Sequence, residues 1–184
     1  MIISLTGLPG AGKSTVKNLL AHTLNLKSYS MGDIRGKMAI ERGMTIDEFN
    51  ALGMNESFTD NDVDHYQEQL GKTEDNFIVD GWMSWHFIPQ SFKVFLTIEP
   101  RTSAERIFAA RQNEKGRDDE PLYQSVEETQ HVLDGRVRQN RERYQKWYGV
   151  DYLDLAHYDL IVDTTNLTPI EVAERILSAA RASA

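Results

Sequence analysis

The chain contains no cysteine among its 184 residues, and this absence removes several kinds of chemistry at once. Disulfides, thiolate zinc sites and cysteine nucleophiles are excluded, and a reducing cytosol is the compartment compatible with such a sequence. No apolar run approaches the roughly 18 residues that a membrane-spanning helix needs, and the opening segment lacks a basic signal region. We therefore expect a soluble, cytoplasmic protein that does not act at a membrane.

The chain also lacks an excess of basic residues, since its formal net charge is −8. A protein that binds the backbone of nucleic acids must neutralise many phosphates with Lys and Arg, so nucleic acid is not an expected partner. The basic residues are unevenly distributed, because eight of the twelve arginines fall between positions 101 and 143. This clustering predicts a local site for a small anion. The length suits a single domain, residues 1–184, which we expect to be a monomer.

Five short apolar segments alternate with helical patterns along the chain. The predicted strands are residues 2–6, 26–29, 76–80, 92–98 and 159–163. Apolar residues at helical spacing predict a helix over 13–24 and another over 126–148, and Thr168 to Glu171 has the residue types of a capping box that opens the last helix. Such alternation is typical of the α/β class, here a three-layer α/β/α architecture with a five-stranded parallel sheet.

Two segments do not belong to this alternation. Residues 31–72 are polar and mostly helical, with breaks near Gly43, Gly53 and Thr59, and they form a predicted helical insertion. Residues 112–124 include a charged stretch interrupted by glycine and proline, which is typical of a short lid over a site. We expect ligands at the carboxyl ends of the strands, between these two segments.

The strongest motif is GLPGAGKS, residues 7–14, which satisfies the G-x-x-x-x-G-K-[ST] pattern between a predicted strand and a predicted helix. Its small residues allow backbone N–H groups to converge on phosphates at a helix N-terminus. Lys13 is predicted to bridge the β- and γ-phosphates, and Ser14 to ligate Mg²⁺. The predicted ATP-binding residues are Gly7, Leu8, Pro9, Gly10, Ala11, Gly12, Lys13, Ser14 and Thr15. A glycine-rich turn without a ligand is the structural alternative.

Several blocks occur in an order that resembles the nucleoside monophosphate kinases, and most of all the archaeal-type cytidylate kinases. They are GLPGAGKSTV at the start, ERGMTIDEF, the spaced Arg136 and Arg143-Tyr144, YGVD at 148–151, and YDLIVDTTNLTPIEV near the end. The resemblance implies the strand order 2-3-1-4-5, a helical lobe that binds the acceptor nucleotide, and a lid. It also implies transfer of the ATP γ-phosphoryl group to CMP or dCMP.

Phosphoryl transfer depends mainly on positioning and on positive charge, so arginines are the candidate catalytic residues beside Lys13. Arg136 and Arg143 are seven residues apart, two helical turns, and therefore lie on one face of the predicted long helix. The resemblance assigns Arg117 to the lid and Arg111 to an adenine-stacking or hinge contact. Surface ion pairs one turn apart are the structural alternative for these arginines.

The acceptor side is predicted from residues at the ends of strands two and three. The resemblance places Asp80 near Mg²⁺ or the acceptor and implies that Gly81 lets the acceptor approach the backbone; a carboxylate oxygen is also a ligand that Mg²⁺ prefers. The resemblance implies roles for Asp33 and Arg35 in the acceptor site, with Lys37 as a substitute, although Asp33 could also cap a helix. Relatives are expected to carry an arginine directly after Gly81. This chain has Trp82, which could stack on a base or simply pack.

Three other functions remain open at this point. A kinase for another monophosphate, such as AMP, would differ only in the base pocket. A kinase for a small hydroxyl substrate would need a carboxylate base, for which Asp33 is available. A non-catalytic nucleotide-binding switch would keep the phosphate loop alone.

Overall fold

The computed structural model describes residues 1–113 and 122–183, with a parallel sheet at its centre. The strands are β1 (Ile2–Gly7), β2 (Lys27–Ser30), β3 (Phe77–Asp80), β4 (Phe92–Thr97) and β5 (Leu160–Asp163). They lie in the order β2-β3-β1-β4-β5, and each neighbouring pair is parallel. The predicted fold class and strand order are therefore confirmed, with each strand within one residue of its predicted position.

Helices cover both faces of the sheet. They are α1 (Lys13–Leu24), α2 (Met31–Glu41), α3 (Ile46–Gly53), α4 (Phe58–Thr73), α5 (Ser84–Phe87), α6 (Pro100–Asn113), α7 (Val126–Tyr148) and α8 (Pro169–Ala182), with a 3₁₀ turn at Leu155–His157. Hydroxyl side chains open several of them. The predicted capping box is present at α8, where Thr168 accepts from the backbone of Glu171 and Glu171 reaches back to Thr168.

The core forms because successive residues of a strand point to opposite faces. On one face, Ile3 and Ile78 pack with Val16 and Leu20 of α1 and with Ile176 of α8. The other face is covered in two parts. Near β2 and β3, Phe77 and Val79 pack against α2 and α4; near β4, Phe95 packs against an aromatic group that includes Trp85, Tyr144, Tyr152 and Tyr158.

The site lies where the carboxyl ends of β1, β3 and β4 meet. β1 runs directly into the glycine-rich loop, and the backbone N–H of Leu8 donates to Leu96 O on β4 at 3.0 Å. On the other side, Gly81 N–H donates to Leu5 O at 3.1 Å. Helices α2, α3 and α4 are inserted between β2 and β3, so the helical lobe stands beside this edge of the sheet.

Candidate active site

The glycine-rich loop is held from both sides and is open at its centre. A side chain at Gly7 would collide with the carbonyl oxygen of Leu96, so β4 can approach only because residue 7 is glycine. Ser103 Oγ in α6 donates to Pro9 O at 2.8 Å. Gly12 has φ +83°, which favours glycine, and apart from its chain neighbours no heavy atom of residues 1–113 and 122–183 lies within 4 Å of the position that its Cβ would take. This open surface at the start of α1 fits a phosphate group.

Lys13 lies across the loop. Its Nζ donates to Gly7 O at 2.8 Å and to Leu8 O at 2.9 Å, and it stands 5.4 Å from the ring centroid of Trp82. Burial lowers the pKa of Lys13 to about 8; Asp80 opposes this shift and Arg136 adds to it. Asp80 and Arg136 are therefore both within electrostatic reach of the loop lysine.

Asp80 ends β3 beside this lysine, as the sequence suggested. Its side chain is 6% exposed, and Oδ2 lies 3.7 Å from Nζ of Lys17, a residue that the sequence analysis did not single out. The next residue, Gly81, has no room for a side chain because Ser84 Oγ and Met31 occupy that space.

Ser14 and Thr15 lie in the first turn of α1 with exposed side chains. The hydroxyl and carboxylate oxygens available here are of the kind that Mg²⁺ prefers.

Arg136 joins the long helix to the helical lobe. Its Nε donates to Asp47 Oδ1 at 2.9 Å and its NH2 group to Oδ2 at 3.1 Å, in the two-pronged geometry that suits a guanidinium and a carboxylate. The Arg136 side chain is 11% exposed. Arg136 also lowers the pKa of Lys13, so this cation is bound to the lobe and acts electrostatically on the phosphate loop.

Arg35 and Arg143 meet inside the lobe on a single carboxylate. Arg35 NH1 lies 2.6 Å from Asp60 Oδ1, and Arg143 Nε lies 3.2 Å from Oδ2. Asn50 accepts from both guanidinium groups. Arg143 NH2 also donates to the hydroxyl of Tyr144 at 3.0 Å. The predicted common face of Arg136 and Arg143 is thus the face of α7 that packs on the lobe.

This cluster contains more positive charge and more donors than its acceptors satisfy. The side chain of Arg143 is 1% exposed. Among residues 1–113 and 122–183, Arg35 NH2 and Arg143 Nε have no hydrogen-bond acceptor, and the contact of Arg143 Nε with Asp60 is an ion pair only. Burial and the neighbouring Arg143 lower the pKa of Arg35. Two cations that share one carboxylate retain an attraction for a further anion.

A second carboxylate lies one helical turn further along α4. Asp64 accepts a short hydrogen bond from the hydroxyl of Tyr148 at the end of α7. Burial raises the pKa of Asp64 to about 7, and the hydrogen bond from Tyr148 opposes that shift. Burial also raises the pKa of Tyr148 above its usual range. The pair connects the lobe to the aromatic group beside β4.

The remaining predicted residues lie around this centre. Asp33 and Lys37 are exposed on α2, whose cap is Ser30 rather than Asp33, since Ser30 Oγ accepts from Asp33 N–H at 3.3 Å. Trp82 is half-buried and makes an edge contact with Tyr152 as well as facing Lys13.

Trp85 is a packing residue, stacked on His157 with ring centroids 4.3 Å apart. Arg111 lies in the last turn of α6, and Arg117 lies outside the described residues, with most of the predicted lid.

The carboxylates of the lobe that hold the arginines and Tyr148 were not found by sequence reasoning. Asp47, Asp60 and Asp64 are acidic residues in amphipathic helices, where a solvated face is the ordinary expectation. One signal was available, because Asp60, Asp64 and Gln67 recur at i, i+4 and i+7 on α4 and could have indicated a polar stripe facing a site. Lys17 gave no such signal, since a lysine in the second turn of a helix is usually exposed.

The strand order and the loop geometry together define a protein of the P-loop kinase fold. A family model described as an AAA domain matches residues 3–130. A cytidylate kinase from Methanocella arvoryzae is 34% identical over 165 residues, which cover 90% of this chain and 88% of that one. The chain therefore belongs to the cytidylate kinase family of P-loop proteins.

Two further comparisons show a similar sequence within a longer protein and a similar fold. A longer protein from Lacinutrix mariniflava, named an S-adenosylmethionine-dependent nucleotide dehydratase, is 31% identical across 95% of this chain and 35% of its own length. A shikimate kinase from Bacteroides thetaiotaomicron superposes with a TM-score of 0.64 at 15% identity, over 98% of each chain, and so shares the fold. No helix of the described residues is long and apolar enough to cross a membrane.

Proposed function

We propose that this chain is a nucleoside monophosphate kinase that transfers the γ-phosphoryl group of ATP to CMP or dCMP. The observation that carries the proposal is the grouping of Lys13, Asp80 and Arg136 at one edge of the sheet, directly beside the helical lobe. The names of the relatives support a nucleotide as the acceptor, because they refer to cytidylate and to nucleotides. The family name supports the cytidine base in particular.

The donor half of the proposal uses the loop and the residues around it. The open surface at Gly12 would receive the β- and γ-phosphates, and Lys13 would exchange its two carbonyl acceptors for phosphate oxygens. Mg²⁺ bound with ATP would neutralise part of the phosphate charge, and Ser14 and Asp80 are the residues that would hold it. Arg111 is the proposed contact to adenine.

The acceptor half uses the lobe formed by residues 31–72. In the transfer, a phosphate oxygen of CMP bonds to the γ-phosphorus as the bond from that phosphorus to the β–γ bridging oxygen breaks, which yields CDP and ADP. The acceptor phosphate is already largely dianionic near neutral pH, so no general base is required. Arg136 and Arg143 are the proposed catalytic cations, with Arg117 in a lid of about residues 112–124.

The remaining acceptor contacts are proposed at the lobe entrance and at the end of β3. They are Asp33, Arg35, Lys37, Asp80, Gly81 and Trp82. Of these, Arg35 shares the carboxylate of Asp60 with Arg143, and its NH2 group makes no hydrogen bond within the described residues. Both facts support the binding of an anionic group by Arg35.

A coupled assay of ATP consumption tests the proposal. The acceptors are CMP, dCMP, UMP, AMP and GMP, with a reaction that lacks any acceptor as the control. We expect turnover with CMP and dCMP at least about tenfold above the others, since a site that hydrogen-bonds one base leaves buried groups unpaired with another. ATP hydrolysis that does not depend on any acceptor would overturn the kinase assignment.

A further inference from the structure

A second ammonium group lies at the carboxyl end of β3, beside the phosphate loop. Lys17 follows Lys13 by one helical turn, and its side chain is only 8% exposed. Its Nζ lies 3.7 Å from Asp80 Oδ2, which is an ion-pair distance but too long for a hydrogen bond. Within residues 1–113 and 122–183, Asp80 is the only carboxylate within 4 Å of this nitrogen.

The charge balance at this place is unfavourable in the absence of a ligand. Lysine is seldom this buried unless it is well paired, and Asp80 is shared with Lys13, whose charge it also stabilises. Arg136 is also within reach of Lys13, and Asp47 pairs with it, so three cations at this place face two carboxylates. An apolar side chain at position 17 would pack in the second turn of α1 without this cost. The arrangement is therefore better explained by an anion that binds here than by stability.

The position of Lys17 in the topology indicates which anions these are. β3 lies between β1, which leads into the phosphate loop, and β2, which leads into the helical lobe. The carboxyl end of β3 is thus the boundary between the donor side and the acceptor side. A cation at this boundary can act on both phosphate groups, whereas Lys13 lies on the loop itself.

We propose that Lys17 neutralises the charge between the donor and acceptor phosphates and thereby allows both nucleotides to bind at the same time. This proposal rests on the proposed function, since it requires two phosphorylated ligands. Two polyanions brought within a few ångströms repel each other strongly at the low effective dielectric of a cleft. A buried ammonium group between them attracts both ligands. Its contribution is therefore expected mainly in the change that one ligand causes in the affinity for the other.

The test measures that coupling directly. The dissociation constant of CMP is determined by calorimetry with and without a non-hydrolysable ATP analogue and Mg²⁺, for the wild type, Lys17→Met and Lys17→Arg. For each protein, the CMP dissociation constant with the analogue is divided by the constant without it. We expect this ratio to be about tenfold higher in Lys17→Met than in the wild type. Lys17→Arg keeps the charge and is expected to keep the wild-type coupling within about twofold. Lys27→Met, at an exposed ion pair with Glu74, is the matched control.

The outcomes separate this proposal from the proposed function. If the wild type phosphorylates CMP but the coupling in Lys17→Met is unchanged, the role of Lys17 is overturned and the kinase function stands. If the wild type phosphorylates no monophosphate, both are overturned. Should Lys17→Met not fold, Lys17→Gln takes its place, and equal coupling in Lys17→Gln and Lys17→Arg counts against the proposal.

Discussion

Arg136 and Asp47 form a two-pronged ion pair that joins the long helix α7 to helix α3 of the lobe, with N–O distances of 2.9 and 3.1 Å. The same guanidinium lowers the pKa of Lys13, so the pair holds a cation within electrostatic reach of the phosphate loop. Replacing Arg136 with Lys keeps the charge but loses the planar fork. We expect kcat to fall about 10- to 100-fold, as for the loss of one oriented donor, in a steady-state assay with CMP.

The neighbouring Arg138 provides the control for this variant, because it is exposed on the same helix. Arg138→Lys is expected to keep wild-type turnover. Asp47→Asn is expected to lower kcat less than Arg136→Lys, since the arginine remains and only its orientation is loosened. If Arg136→Lys is fully active, Arg136 has no part in the transfer.

Lys13 gives a prediction for the pH dependence of nucleotide binding. Its pKa of about 8 means that the free protein loses this positive charge as the pH rises through that value. The last pKa of a terminal phosphate is about 6, so the phosphates of ADP are largely ionised at pH 7 and their charge changes little in the same range. We expect the dissociation constant of metal-free ADP, measured by calorimetry, to rise about tenfold between pH 7 and pH 9.

Lys13→Met tests whether this lysine is the cause. The variant is expected to bind ADP weakly at every pH and to show no rise between pH 7 and pH 9. Lys72→Met, at an exposed position in the last turn of α4, is expected to behave as the wild type. An unchanged pH dependence in Lys13→Met would assign the titration to another group.

The strands of the sheet and the helix starts were predictable because the residues that define each of them are neighbours in the sequence. Strand β3, for example, begins with a run of buried apolar residues at Phe77. The start of α8 is defined by the four residues of the capping box, from Thr168 to Glu171. The strand order came from the resemblance, whose blocks follow one another along the chain. Periodicity gives the faces of each element but not which elements meet.

The pairing inside the site was not predictable for the same reason. Arg136 and Asp47 are 89 residues apart, and nothing near either residue specifies the other. Asp60 on α4 pairs with two arginines, one from α2 and one from α7, and this contact exists only after the three helices have packed. The sequence identified the cations, since arginine clusters stand out in an acidic chain, but the carboxylates that hold them resembled ordinary surface residues.

The Asp60 cluster leads to a prediction about stability. Replacing Arg143 with Met leaves Asp60 with one cation and leaves the hydroxyl of Tyr144 without its donor. Because Arg35 still compensates the charge of Asp60, the expected cost is that of the charged hydrogen bonds that Arg143 loses, about 1.5–3 kcal/mol. We expect the free energy of unfolding, measured with urea, to fall by that amount, whereas Arg138→Met changes it by less than about 0.5 kcal/mol. Equal stability of the two variants would mean that the Asp60 cluster does not hold the lobe together.

The carboxyl group of Asp64 leads to a prediction of how the free energy of unfolding depends on pH. Burial raises the pKa of Asp64 from its ordinary value of 3.8 to about 7 in the folded protein, so the folded state binds a proton more tightly than the unfolded state. The resulting stabilisation is fully present below about pH 4 and is lost as the pH rises through 7. In the Asp64→Asn variant, the decline in the free energy of unfolding between pH 5 and pH 8 should be smaller than in the wild type, by about 1–4 kcal/mol.

Asp62→Asn is the matched control, because Asp62 is exposed on the same helix and carries the same charge. Urea unfolding of the three proteins at pH 5, 6, 7 and 8 gives the comparison, with salt held constant so that screening does not vary. The wild type and Asp62→Asn should lose stability together as the pH rises, because both keep the buried carboxyl group that Tyr148 contacts. If Asp64→Asn follows the same curve, the carboxyl of Asp64 is already ionised at pH 5, and its contact with Tyr148 is an ordinary charged hydrogen bond.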